Sequence, residues 1–482
     1  LTFGFGLVNL RQAFYTVGLA NRKKDNFALR GFDQFAPFRL HPVKPAGAGV
    51  GHSCPTKDQY LTEEYTGKEE VMEKLKAFVF LVVLAVVLVS FPTLSMAVED
   101  VKIGVILPLT GPTAQYGMAG KTGVDFGTEE INAEGGIKSL GGAKIKVVFG
   151  DSQGKPDIAT TVTEQLIHKD NVAMITGTQQ SGSTLPTTAV AERYKVPYLV
   201  LTAVNVDICN RGFKYTFRSK QNANRDAGLM VEGSYAIGEK AGKIPKTFAV
   251  VYENSEWGQG NEKLLKKFLA EKGGQVVFEE SYAASATDLT PLVLKIKAAK
   301  PDVLLLTSYV SDAILLSKTA QKQKLQLMAS VNGGGGQSDP TYLPAAGDAA
   351  DYEFSLAEFD VGLLRSKKWV APINAAFRAK YGVDFMMASG EGYSNMWLIK
   401  DVLERAASID REKIREALVK TNYTSGKALI MPYKKIVFNE KGENPYADET
   451  FLQAYKGKYY IVYPFEIADP DYKAVWPRPG WK

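Results

Sequence analysis

VKIGVILPLTGPTAQYG, residues 101–117, and TFAVVYENSEWGQG, residues 247–260, share one order of parts. Each is an apolar run rich in β-branched residues, then a polar turn, then an aromatic followed by glycine where a helical pattern opens. Apolar runs without alternation, separated by amphipathic helices, read as parallel strands buried on both faces. Tyr116-Gly117 and Trp257-Gly258 therefore hold equivalent places in two copies of one strand–turn–helix unit.

The pattern continues outward from both copies. After the first come AKIKVVFGD (143–151), NVAMITG (171–177) and VPYLVL (196–201), with helical stretches at 116–134, after Pro156 and at 183–194. After the second come a helix over NEKLLKKFLAEKGG (261–274), then QVVFEESY (275–282), a helix at 289–299, PDVLLLTSY (301–309) and a helix from about Ser311. Two such series predict an α/β protein of two doubly wound, parallel-sheet lobes. Ligands of open α/β sheets sit outside the carboxyl ends of the strands. One aromatic there reads more readily as core, but a matched pair facing across a cleft points to binding.

Upstream, KEEVMEKLKAFVFLVVLAVVLVSFPTLSMAVED (68–100) has the parts of a secretion signal in order. Lys74 and Lys76 form a basic head behind Met72, Ala77–Val89 is an unbroken apolar core, and Ser95-Met96-Ala97 supplies small residues for a signal peptidase. The core falls short of the roughly 20 residues a spanning helix needs. The expectation is a signal peptide at 72–97, cleaved after Ala97, with no Cys beyond the cut to carry a lipid anchor. Residues 1–71 contain no Met, and Lys68-Glu69-Glu70 fits a translated purine-rich ribosome-binding site just ahead of Met72. They read as leader preceding a start at Met72 and are set aside from fold reasoning.

The chain after Ala97 is long enough for two domains. A formal charge of +6 is small for 482 residues, and no basic cluster interleaved with aromatics suggests nucleic acid. Past Ala97, Cys209 is the only cysteine and His168 the only histidine. This argues against an internal disulfide, a histidine-rich metal site and a Ser-His-Asp hydrolase, so no metal or cofactor is expected. The Gly333–Gly336 run lacks the Lys-Ser/Thr of a phosphate loop and the spacing of a dinucleotide fingerprint. It reads as a flexible loop at the cleft edge.

Taken in order, KIGVILPLTGPTAQYG (102–117), INAEGGI (131–137), SGSTLP (181–186), EWGQG (256–260) and GYSNMWLIKDVLERA (392–406) resemble the leucine/isoleucine/valine-binding family. These are type I periplasmic solute-binding proteins of ABC importers. The resemblance implies two lobes joined by three crossovers, a ligand trapped as they close about the hinge, and a closed form offered to permease subunits at the inner membrane. The implied layout is 98–220 for the first part of the N-terminal lobe, 221–350 for the C-terminal lobe, 351–440 for a return mainly to the N-terminal lobe, and 441–482 back in the C-terminal lobe.

On the family's pattern, Ser181 receives a ligand carboxylate. Ser183 and Thr184 lie with it where a helix begins, and the free N–H groups and positive end of a helix attract an anion; plain N-capping accounts for the same residues. Thr202-Ala203 matches a second ligand-contacting turn, whose carbonyl takes the ligand ammonium, though Val204 stands where many relatives carry a hydroxyl. Tyr116, Trp257, Tyr309 and Tyr393 match ring positions that line the cleft. One departure bears on the ligand. Amino-acid-binding relatives carry an acid just past the strand that here ends near Val331, where this chain has VNGGGGQSDP (331–340). An ammonium desolvated without a carboxylate is costly, and cation–π contact offsets about 2 kcal/mol at best. Either another acid, such as Glu391 or Glu253, is the partner, or the ligand is an amine-free carboxylate or a small amide.

The expected function is a non-enzymatic, periplasmic substrate-binding protein of an ABC importer of the branched-chain amino acid class, taking a small amino acid or related carboxylate. A ligand-sensing receptor on the same scaffold is the alternative. The signal argues against a cytoplasmic regulator, and the lack of a second apolar span after Ala97 argues against a receptor with a C-terminal membrane helix.

Overall fold

The computed structural model describes residues 71–83, 99–284, 286–339 and 341–481. The chain divides into two compact units, 1–93 and 94–482. Within the first, residues 71–83 form a helix, α1, with Leu75, Phe78 and Leu81 exposed. The expected leader (bar Val71), the rest of the expected signal and its cleavage site at Ala97 lie outside the described residues. Among the described residues, no helix is long and apolar enough to cross a membrane.

The second unit opens with β1 (Val101–Leu107), enclosed along its length except for the half-buried Lys102. With β2 (Ile145–Asp151), β3 (Met174–Gly177), β4 (Tyr198–Val200) and β5 (Thr216–Arg218) it builds a parallel sheet in the order β2-β1-β3-β4-β5. The connecting helices are α2 (Ala114–Ala133), α3 (Pro156–His168) and α4 (Ser181–Arg193). Helices on both faces bury Ile103, Val105 and Ile106 alike, which is why these strands show no alternation.

The second lobe begins at α5 (Ala223–Lys240). Its strands β6 (Thr247–Glu253), β7 (Gln275–Tyr282), β8 (Val303–Thr307), β9 (Ala329–Asn332) and β10 (Phe354–Ala357) run parallel in the order β7-β6-β8-β9-β10. They alternate with α6 (Glu256–Lys272), α7 (Thr290–Ala299), α8 (Val310–Lys322) and the short α9 (Tyr342–Ala346). The chain then returns through α10 (Ala371–Tyr381), α11 (Met387–Ala406) and α12 (Arg411–Val419), and through a two-stranded pair, β11 (Asn422–Tyr423) with β12 (Ile436–Val437). Helix α11 packs along α2 in the first lobe. Finally β13 (Thr450–Tyr455) and β14 (Lys458–Tyr463) extend the second sheet as an antiparallel edge.

Both expected lobes are present, with one difference in layout. The second sheet is mixed at its edge, and β10 belongs to it, so the return to the first lobe starts at Glu358 and not at 351. FSLA (354–357) is too short to declare itself a strand without its neighbours β9 and β13. The chain thus crosses between the two sheets at residues 219–222, at the turn at Glu358 and at residues 444–449, the segments that stand where the expected hinge would lie.

Close approach explains the two aromatic–glycine pairs. A Cβ on Gly117 would lie 2.1 Å from the Pro108 carbonyl oxygen, and one on Gly258 would lie 1.9 Å from that of Glu253. In each lobe the first turn of a helix presses on the end of the strand before it, a contact only glycine permits. Tyr116 and Trp257 are thereby aimed from matching positions.

Candidate ligand-binding site

Between the carboxyl ends of the two sheets lies a cavity enclosing about 460 Å³ of empty space, the part open to solvent included. The first lobe contributes Tyr116 from α2, Gln179 and Ser181 from the turn after β3, and Thr202–Val204 after β4. The second contributes Trp257 from α6, Tyr309 ahead of α8 and Gly333–Gly335 after β9. The lobes touch across the cleft: Asn205 Nδ2 donates to the Glu256 carbonyl at 3.1 Å, and Thr341 Oγ1 to Gln115 Oε1 at 3.1 Å.

Tyr116 and Trp257 are each only 6% exposed. Among the described residues, neither the Tyr116 hydroxyl nor the Trp257 Nε1 has a hydrogen-bond partner. A buried donor left unpaired costs about 1–3 kcal/mol, so two of them on one cavity, one from each lobe, suit the acceptors of a ligand. Burial, followed by the charges of Glu391 and Glu358, raises the Tyr116 phenol well above its ordinary range and keeps it a donor. The Trp257 and Tyr309 rings meet with centroids 5.0 Å apart. The glycine run packs against them: a Cβ on Gly335 would fall 2.6 Å from Trp257 Cη2. Its glycines let the loop after β9 close over the indole.

Ser181 lines the cavity in the first turn of α4, and its Oγ accepts from the Asn205 N–H at 3.3 Å. The N-cap is Gln180 and offers no side-chain cap, so capping does not account for the serines and threonine here. Ser183 and Thr184, expected beside Ser181, do not line the cavity. Both are fully buried, and Thr184 Oγ1 is tied to Thr178 Oγ1 at 2.5 Å and donates to the Gln180 carbonyl at 2.8 Å; the helical rotation after Ser181 carries them inward. Ala203 lines the cavity, but its carbonyl already accepts from Arg218 Nη1 at 3.0 Å. Thr202 donates its hydroxyl to Glu391 Oε2 at 2.6 Å.

Tyr393 corrects the expectation most clearly. It is fully buried in the first lobe, 5.7 Å from Phe126 and 5.2 Å from Phe385 between ring centroids, with its hydroxyl donating to Glu130 Oε2 at 2.6 Å. Its face of α11 meets α2, not the cavity. His168 packs edge-on against Tyr194, with ring centroids 4.4 Å apart, at the far end of α3.

The acids differ from those named in advance. Glu391 lies behind the wall, paired with Lys220 Nζ at 2.5 Å, and burial raises its carboxyl to about 7. Glu253 is buried at the end of β6 and does not line the cavity. The carboxyl groups that do line it come from the hinge and its margin: Glu358, Glu449 and Asp226, beside Lys220 and Gln221. Lys220 pairs with Glu358 as well as Glu391. Gln221 Nε2 donates to Glu358 Oε1 and, at 3.3 Å, to Glu449 Oε2. Asp226 and Glu449 face one another: burial raises Asp226 to about 6, and burial with the Asp226 charge raises Glu449 well above the carboxylate range. In the sequence these acids were marked only by standing at strand and helix ends. Among the described residues, no group of His, Cys, Asp and Glu is arranged to hold a metal ion.

Residues 100–458 match the model of a family described as periplasmic binding protein, and the chain belongs to that family, whose members bind substrates in the periplasm and work with ABC transporters. Its similarity is to the leucine/isoleucine/valine-binding proteins. Leu/Ile/Val-binding protein homolog 7 of Brucella suis biovar 1 (strain 1330) is 32% identical over 381 residues, 76% of this chain and 92% of the relative. Homolog 8 of Brucella melitensis biotype 1 is 27% identical over 397 residues, 79% of this chain and 95% of the relative. The fold is shared with leucine-binding protein LivK of Thermotoga maritima, with a TM-score of 0.66 and 22% identity over 75% of this chain and 97% of that one. It is shared too with a solute-binding protein of Rhodopseudomonas palustris BisB5, solved in complex with 3,4-dihydroxybenzoic acid, with a TM-score of 0.65 and 20% identity over 78% of this chain and 98% of that one.

Proposed function

We propose that this protein is the exported solute receptor of an ABC importer and traps a small amino acid or related carboxylate between its lobes. The observation that carries this reading is the pair of unpartnered donors, the Tyr116 hydroxyl and the Trp257 indole, on residues that line one cavity from opposite lobes. Ser181, at the positive end of α4, receives the ligand's carboxylate, and the rings of Tyr116, Trp257 and Tyr309 cover its apolar body. Export uses the signal at 72–97 with cleavage after Ala97, and permease subunits read the closed pair of lobes. The relatives named for leucine, isoleucine and valine support the substrate class.

The test is calorimetric titration of the twenty L-amino acids into protein stripped of bound solute by unfolding and refolding, repeated with Trp257→Ala. One or more amino acids should bind the wild type and bind the variant at least tenfold more weakly. Equal affinity for the two proteins would remove the cleft from the account.

A further inference from the structure

The hinge carries more negative charge than it balances. Its floor and margin hold four carboxyl groups, Asp226, Glu358, Glu391 and Glu449, around one ammonium, Lys220, and all five residues are at most 3% exposed. Lys220 is occupied by Glu358 and Glu391. That leaves Asp226 and Glu449 side by side with no ion pair of their own among the described residues, although the Lys220 charge reaches both. Arg225 does not serve them, because its guanidinium is engaged by Asp448 and Glu232 at 2.6 and 2.9 Å. Among the described residues, Asp226 Oδ1, Glu358 Oε2 and Glu449 Oε1 have no donor, and neither has Gln221 Oε1 beside them. Uncompensated buried carboxylates are costly, so each needs a proton or a bound N–H donor.

We propose, resting on the solute-receptor reading, that the hinge is the cation subsite of the cleft: the ligand carries an ammonium group, which docks on the carboxyl groups of Asp226, Glu358 and Glu449. The missing acid after β9 is thus replaced from another part of the fold. The Trp257 and Tyr309 rings flank the same cavity and favour a cation over an anion. Since all three carboxyl groups sit at the crossovers or the first turn beyond one, the ammonium bridges the pieces that must move when the lobes close.

The consequence is proton exchange of a definite sign. Burial raises Asp226 to about 6 and, with the Asp226 charge, lifts Glu449 well above the carboxylate range, so this pair holds protons more readily than free carboxyl groups do. The groups that face them are Lys220 and Gln221 on the first crossover and Glu358 on the second; Glu391 on α11 and the Tyr116 phenol face Glu358 in turn. An incoming ammonium displaces protons from this cluster, and an incoming carboxylate without an amine adds them.

The experiment is calorimetry on the full chain at pH 7 in two buffers of different ionisation enthalpy, using L-leucine, 3-methylbutylamine and 4-methylpentanoate, then L-phenylalanine, phenethylamine and 3-phenylpropanoate. In at least one triad the amino acid should bind with net proton release and the amine-free acid at least tenfold more weakly. Asp226→Asn and Glu449→Gln, close in size to the native side chains, should each weaken amino-acid binding tenfold or more and reduce the release; the wild-type buffer dependence decides the matter if either variant does not fold. Amine-free acids binding as tightly as their amino acids, or amino-acid binding without proton release, would overturn the ammonium subsite. If that binding still weakens in Trp257→Ala, the solute-receptor reading survives; if no compound in either triad binds, the subsite and the substrate class fall together.

Discussion

Lys220 and Glu391 meet in a buried ion pair, Nζ to Oε1 2.5 Å, that joins the first hinge crossover to α11 of the first lobe. The same ammonium also holds Glu358 on the second crossover, so one side chain ties two of the three strands of the hinge. Removing one member of a buried pair costs about 3–5 kcal/mol, because the remaining charge has no partner. Lys220→Met should therefore lower the urea midpoint sharply, and adding Glu391→Gln should recover part of the loss. A midpoint unchanged by Lys220→Met would show that the pair is not formed in solution.

Tyr393 supplies the opposite control. With its ring in the first-lobe core and its hydroxyl on Glu130, Tyr393→Phe should cost about 1 kcal/mol of stability and leave ligand affinity unchanged. A loss of affinity without a loss of stability would return Tyr393 to the cleft.

The close approach at Gly258 predicts a packing defect. Alanine there must push its Cβ against the Glu253 carbonyl, 1.9 Å away in the native backbone, and overpacking of this kind typically costs about 1–3 kcal/mol. Gly258→Ala should lower the melting temperature and weaken binding together, since Trp257 moves with the turn. Normal stability would mean that α6 need not press on β6.

The hinge acids also set a pH dependence. Burial raises Asp226 from 3.8 to about 6, so folding favours its protonated form. The favourable state is fully present below the unfolded value near 4 and is lost as pH rises through about 6. At roughly 1.4 kcal/mol for each pH unit, this contribution is at most about 3 kcal/mol. Relative to Asp226→Asn, the ligand-free wild type should lose stability between about pH 4 and 6, measured by urea unfolding at each pH. A parallel pair of curves would show that Asp226 does not titrate within a strained pair.

The two aromatic–glycine turns were legible in the sequence because both lobes repeat one local pattern, and local pattern is what a chain displays directly. Parallel strands such as VKIGVIL and VLLLT announced themselves by burial on both faces. FSLA (354–357) did not, since four residues become a strand only between β9 and β13. Tyr393 matched a family position, but which face of α11 meets α2 is decided by packing. The carboxyl groups in AEFD (357–360) and ADET (447–450) were invisible as a site for a similar reason: residues more than 80 positions apart meet only because the chain crosses between the lobes three times. Ser181 lines the cavity while Ser183 and Thr184 turn away from it, because proximity in sequence does not give direction from a helix.

The most direct measurement is a thermal-shift series on the protein stripped of bound solute, comparing wild type, Ser181→Ala and Trp257→Ala across L-amino acids and their amine-free analogues. A solute bound only to the folded state raises stability with the logarithm of its saturation. A cleft built by both lobes predicts one class of small solute that stabilises the wild type and loses most of its effect in each variant, although the two residues stand on opposite lobes. A solute that stabilises all three proteins equally would contradict binding between the lobes.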